Sequence, residues 1–252
     1  MNVKSANVNE NIDFEITRLL KQFKLPDILR SYDEEIKTAI NDNVSPREFL
    51  CRLLKIEEMG KKSRLKEKNM KNAGFEIHTT FEEFDFKFQS SINENKIRDL
   101  GTLNFLGKKE NMVFIGPPGV GKSHLSTAIG IRACEQGKHV LFKNAIDLVD
   151  SLFEAYAEGT LKAAFKKLST IDLLIIDDLG YLKMNKEKES IFFQLIRQRY
   201  EKSSLIITTN LPFNRWDEVF TSEVAATAVL DRLLHHCHVI SITGNSYRVK
   251  NN

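Results

Sequence analysis

The sequence predicts an α/β fold: a mainly parallel five-stranded sheet between helices, preceded by a small all-α N-terminal domain. Three observations predict it. The stretch Gly116-Pro117-Pro118-Gly119-Val120-Gly121-Lys122-Ser123 reads G-x-x-x-x-G-K-S, with an apolar run before it and a helical pattern after it. Short continuous apolar runs then alternate with helical patterns to the end of the chain, as in a parallel sheet covered on both faces. Upstream, the apolar residues recur at helical spacing through three successive segments.

Composition sets the bounds. The chain has 252 residues, 42% apolar and 28% charged, which suits a globular protein of one or two domains. A net charge of +3 is not that of a polycation, so any nucleic-acid contact must come from a local patch. Cys51, Cys134 and Cys237 are widely spaced, which argues against a disulfide framework or a structural zinc site. The polar N-terminus lacks the apolar core of a signal peptide. No stretch approaches ~18 consecutive apolar residues, so no membrane span is expected and the chain is expected to be cytoplasmic.

In chain order, residues 1–10 are polar and expected to fray. Ile12, Ile16, Leu19, Leu20 and Phe23 mark a first helix that Leu25-Pro26 ends. A second helix covers Asp27 to Ile40. The third starts at Ser45-Pro46-Arg47-Glu48, which supplies an N-cap, a proline at the first helical position and a capping glutamate, and runs to about Met70. Its second half is basic: Lys61, Lys62, Arg64, Lys66, Lys68 and Lys71 against one acid, Glu67. Such a run more commonly marks a solvated helix face; the functional alternative is a contact with a phosphate backbone. Phe84, Phe86 and Phe88 alternate as in an edge strand or an extended linker, with a domain boundary near 76 and a helix over 92–106.

From Met112 onward the expected strands are Met112–Ile115, His139–Phe142, Leu173–Ile176, Leu205–Thr209 and His238–Ile242, with helices between them. The glycine loop after the first strand can turn its backbone N–H groups inward as an anion nest at a helix N-terminus. Gly116, Pro117, Pro118, Gly119, Val120, Gly121, Lys122, Ser123 and His124 are therefore the expected nucleotide-binding residues. Lys122 reaches the β/γ-phosphates of ATP, and Ser123 ligates Mg²⁺. The run Leu173-Leu174-Ile175-Ile176 delivers Asp177 and Asp178 to the carboxyl edge of the sheet, where ligands bind in such folds. Asp177 would hold Mg²⁺, and Asp178 would deprotonate the attacking water. Asn210 ends the next strand, where its amide can both donate and accept. Arg232 on a later helix fits an arginine finger or an intrahelical ion pair, and Arg248 follows the last strand. His235, His236 and His238 lack a second cluster of ligands in the sequence and are read as structural.

Taken together, GPPGVGKSHL, LLIIDDLGYL, the IITTN strand end, VLDRLLHHCHVI and GNSYRVK resemble the IstB-like transposition helper ATPases of the AAA+ superfamily, which are similar to DnaC-type helicase loaders. LLKIEEMGKKSR and EEFDF fit the same pattern. The resemblance implies an N-terminal helical domain, 1–75, and a P-loop AAA+ ATPase domain, 76–252. It implies self-assembly with ATP at subunit interfaces, binding to duplex DNA with low sequence specificity, and activation of a partner transposase. Asp177 matches the Walker-B acid, Asn210 sensor I, Arg232 the finger and Arg248 the second sensor. Asp178 stands where the wider superfamily has glutamate, and its shorter side chain implies slow hydrolysis. A replicative-helicase loader is the alternative. A P-loop kinase fits the glycine loop but not the Asp-Asp, Asn210 and Arg232 set.

Overall fold

The structure is a computed structural model that describes residues 3–250, with side chains described for 11–249. The backbone groups into two compact units, Met1–Leu65 and Lys66–Asn252. The expected boundary near 76 falls inside the second.

In the first unit, α1 (Val3–Gln22) packs on α2 (Pro26–Asn41), and α3 (Pro46–Ala73) begins. α1 starts at Val3, well before the expected Ile12, and residues 1 and 2 lie outside the described residues. Proline at the start of α2 suits a first turn, because its missing N–H has no helical partner there. Leu25 offers no side-chain cap to α2. Glu57 of α3 supplies one: its buried carboxylate accepts from Asp27 N at 2.9 Å and Ile28 N at 3.2 Å. The first turn carries partial positive charge, so an anion there is stabilising. Arg64 closes the network by donating to Asp27 and, at 3.1 Å, to Glu57. Gly60 makes the approach possible, since a Cβ there would lie 2.0 Å from Asp27 Oδ2.

In the second unit, the expected helix over 92–106 is two pieces, α4 (Glu94–Leu100) and α5 (Asn104–Lys108). Leu103, at φ 68°, breaks it in the left-handed region. The Phe84-Phe86-Phe88 alternation forms no strand; these residues lie in turns, with Phe84 buried. The sheet is β1 (Asn111–Ile115), β2 (Val140–Asn144), β3 (Leu173–Asp177), β4 (Ser204–Thr209) and β5 (Cys237–Ser241). Its order is β2-β3-β4-β1-β5 and every pairing is parallel. The intervening helices are α6 (Lys122–Glu135), α7 (Ala145–Ala157), α8 (Leu161–Leu168), α9 (Lys186–Arg199) and α10 (Glu223–Leu234), with a last turn α11 (Tyr247–Lys250).

The continuous apolar strands are explained by two cores. Leu174, Ile176, Leu205 and Ile207 point into one, with α7 to α10. Leu173, Ile175, Ile206, Met112 and Phe114 point into the other, with α4 to α6. The register pairs Ile115 with Thr209, so Gly116 and Asn210 leave the sheet side by side, and Asp177 lies one strand further on. Among the described residues, no helix is long and apolar enough to cross a membrane.

Candidate nucleotide-binding site

A cavity of about 410 Å³ opens at this carboxyl edge. Its floor is the loop from Pro118 to His124, its far side is Asp177 and Asp178, and one wall is the segment from Glu76 to Gln89. The C-terminal turn adds Tyr247 and Arg248. The loop conformation depends on glycine: Gly121 has φ 98°, and a Cβ there would meet Phe84 Cε2 at 2.4 Å. Lys122 is buried, and its Nζ donates to Gly116 O and Pro117 O, each at 2.9 Å. Burial pushes its amine below the ordinary value; Asp178 and Asp177 oppose that push and Arg248 adds to it. Val120 is buried beneath the loop. His124 Nε2 lies 2.7 Å from Thr80 O and its ring meets Phe84 edge-on, which ties the loop to the wall.

Across the cavity, Ser123 Oγ donates to Asp177 Oδ1 at 2.9 Å. Burial pushes the Asp177 carboxyl up and Asp178 adds to it, while hydrogen bonds from Thr208 and Ser123 and the charge of Lys122 oppose it. A hydroxyl and a carboxylate at this separation are hard oxygen donors, the set that suits Mg²⁺, so these residues fit the expected ion. Asp178 follows in the left-handed region at φ 58°, which aspartate tolerates better than most residues. The turn it starts brings Gly180 against Asn210. The Asn210 amide oxygen is buried without a hydrogen-bond partner, and a Cβ on Gly180 would come within 1.9 Å of it.

The structure therefore gathers Pro118–Ser123, His124, Asp177, Asp178 and Arg248 around one cavity, with Asn210 beside the Asp178 turn. Arg232 is not among the cavity's lining residues. It donates to Ala228 O within its own helix at 2.9 Å and lies over the Phe193 ring, 4.7 Å from its centroid. The basic residues of α3 are not equivalent. Lys61, Lys66, Lys68 and Lys71 are exposed, Lys62 pairs with Glu58 at 2.6 Å, and Arg64 is engaged by Asp27 and Glu57. His235 and His236 are joined by Glu201, whose carboxylate sequence spacing could not bring to them; all three are exposed.

Two features escaped the sequence reading. The Phe-rich segment is a cavity wall, which its alternation disguised as strand or linker. Thr208 is fully buried between the strand carrying the acids and β1, and its hydroxyl donates to Asp177 Oδ1 while accepting from Asp178 N at 2.9 Å. In the sequence it is one of two threonines closing a buried strand, with nothing to single it out.

Comparison with known proteins gives a consistent picture. The sequence profile of a family described as IstB-like ATP binding protein matches residues 18–252. The chain is 41% identical over 236 residues to the ATP-binding protein of insertion sequence IS21 from Pseudomonas aeruginosa, covering 94% of this chain and 89% of that one. It is also 41% identical to the ATP-binding protein of insertion sequence IS232 from Bacillus thuringiensis, covering 94% of each. Among solved structures, AMPPCP-bound DnaA from Aquifex aeolicus has a similar fold, with TM-score 0.56, 22% identity, and coverage of 67% of this chain and 51% of that one.

Proposed function

This chain belongs to the IstB-like ATP-binding protein family, and from that premise we propose that it is a cytoplasmic, ATP-dependent, DNA-binding regulator of DNA transposition. It assembles as a homo-oligomer on duplex DNA and activates a partner transposase. The observation that carries this reading is the pairing of Ser123 with Asp177 across a cavity whose floor holds a buried lysine. A buried cation on a glycine loop at a helix N-terminus favours a polyanion. The loop and Lys122 hold the β- and γ-phosphates of ATP, and Ser123 and Asp177 hold Mg²⁺. The bound ion would supply neutralisation of the charge that develops on the phosphate oxygens. Asp178 takes the proton of the attacking water, and Asn210 orients that water. Arg248 reads the nucleotide in its own subunit.

Arg232 acts on the nucleotide of the neighbouring subunit, which agrees with its position outside its own cavity. Hydrolysis is slow, since the Asp178 carboxylate is carried on a short side chain, and its role is to time disassembly. Residues 1–75 serve DNA, partner and assembly contacts, and 76–252 serve ATP. The test is a strand-transfer assay with the transposase of the same insertion element. Stimulation that requires ATP and is lost in Lys122→Ala supports the reading. ATP-dependent loading of a replicative helicase, with no effect on strand transfer, would replace it with the helicase-loader alternative.

A further inference from the structure

Thr208 has no place in the scheme above, yet its hydroxyl touches both members of the acidic pair. It sits on β4 with no solvent exposure, directly beside the end of β3. A hydroxyl has one proton to give and two lone pairs to receive with. Here the proton goes to Asp177 Oδ1, and a lone pair accepts the Asp178 N–H at 2.9 Å. Both contacts are needed for a physical reason. The left-handed backbone at Asp178 turns the chain out of the sheet just where its N–H would otherwise look for a ladder partner. Thr208 takes that N–H and so fixes where the turn begins.

The other contact fixes the carboxylate. Ser123 and Thr208 both donate to the same oxygen of Asp177, which leaves the carboxylate little freedom to rotate. With its proton committed to Asp177, the Ser123 oxygen keeps its lone pairs for a cation.

We infer that Thr208 is a positioning residue for the divalent-cation site, one hydroxyl setting both the rotation of the Asp177 carboxylate and the start of the Asp178 turn. The inference rests on the reading of Ser123 and Asp177 as the Mg²⁺ residues. Valine has nearly the shape of threonine, so Thr208→Val removes the hydroxyl and little else. Serine keeps the hydroxyl.

The experiment measures binding rather than turnover. The affinity of the full-length protein for a non-hydrolysable ATP analogue is measured by calorimetry in excess Mg²⁺ and again in EDTA. Wild type is compared with Thr208→Val, Thr208→Ala, Thr208→Ser and Asp177→Asn. The loss of a hydrogen bond to an ionised group corresponds to about ten- to a hundredfold in an equilibrium constant. Thr208→Val is expected to lose that much of the Mg²⁺-dependent gain in affinity while keeping its affinity in EDTA, and Thr208→Ser is expected to recover the gain. Thr208→Ala gives a second reading of the same loss if the valine variant does not fold. A valine or alanine variant that keeps the full Mg²⁺ gain, or loses affinity equally in both conditions, overturns the role of Thr208 alone, provided Asp177→Asn abolishes the gain. If Asp177→Asn also keeps the gain, the cation reading of Asp177 falls and takes this inference with it.

Discussion

At the scale of single residues, the site stores unfavourable electrostatics in the free protein. Asp177 is buried beside Asp178, and its carboxyl holds a proton more readily than an ordinary aspartate. A carboxyl raised in the folded state binds its proton more tightly there than in the unfolded chain. The cost of ionising it is therefore fully present above the folded value, and it disappears as pH falls through that value toward the unfolded one. Asp177→Asn removes the cost. It should stabilise the nucleotide-free protein at neutral pH by about 0.5–2 kcal/mol, the usual gain from relieving a functional site. The gain should shrink as pH is lowered, because wild-type Asp177 then becomes neutral as well. Thermal melts across pH check this; a variant less stable than wild type at neutral pH contradicts it. The two acids and the glycine loop were legible in the sequence because fixed spacing after an apolar run places them. Thr208 was not, because its role depends on the register that sets the end of β4 against the turn after β3, and an apolar run does not show register.

At the scale of elements, the sequence displayed periodicity well and tertiary capping poorly. The five strands were legible as apolar runs, and α2, α7 and α9 as helical patterns. The break between α4 and α5 was not, since its one signal is Gly101 at the end of α4, which a continuous helix also tolerates, while the left-handed residue itself is Leu103. The basic half of α3 shows the limit most clearly. Counting charges treats Arg64 like its lysine neighbours, but Asp27 and Glu57, distant in sequence, engage it. Glu57 in turn serves as the N-terminal cap that α2 lacks. Glu57→Ala strips two N–H groups of their acceptor and should destabilise the first unit by about 1–3 kcal/mol. Urea unfolding followed by helical circular dichroism measures it, and an unchanged midpoint would show that water replaces the cap. Arg64→Ala should move the same transition in the same direction, so it is a poor probe of any DNA contact. The four exposed lysines, Lys61, Lys66, Lys68 and Lys71, are the informative set.

At the scale of the whole molecule, the proposed function is a property of an assembly. Arg232 lies outside its own cavity, over Phe193, so its contribution to hydrolysis should appear only between subunits. Arg232→Ala and Lys122→Ala should each be inactive alone, the finger contributing ~10³–10⁵ in rate. Mixed together they should regain activity, since some interfaces then pair an intact Arg232 with an intact Lys122. Steady-state ATP turnover of the mixture checks it; no rescue at any ratio contradicts action in trans. In the proposed function, ATP in this cavity drives assembly on duplex DNA through repeated phosphate contacts. On that reading each subunit would make a weak contact, which linking subunits would multiply through effective concentration. Log affinity should fall linearly with log salt, with a slope of about −0.9 per phosphate neutralised. Alanine at Lys61, Lys66, Lys68 and Lys71 should flatten that slope without removing ATP binding. The most direct measurement is a DNA-binding titration across salt concentrations, with and without a non-hydrolysable ATP analogue, for wild type and Lys122→Ala. Tighter, salt-dependent binding with the analogue is expected in wild type alone. Equal affinity with and without nucleotide, or binding indifferent to salt, would contradict it.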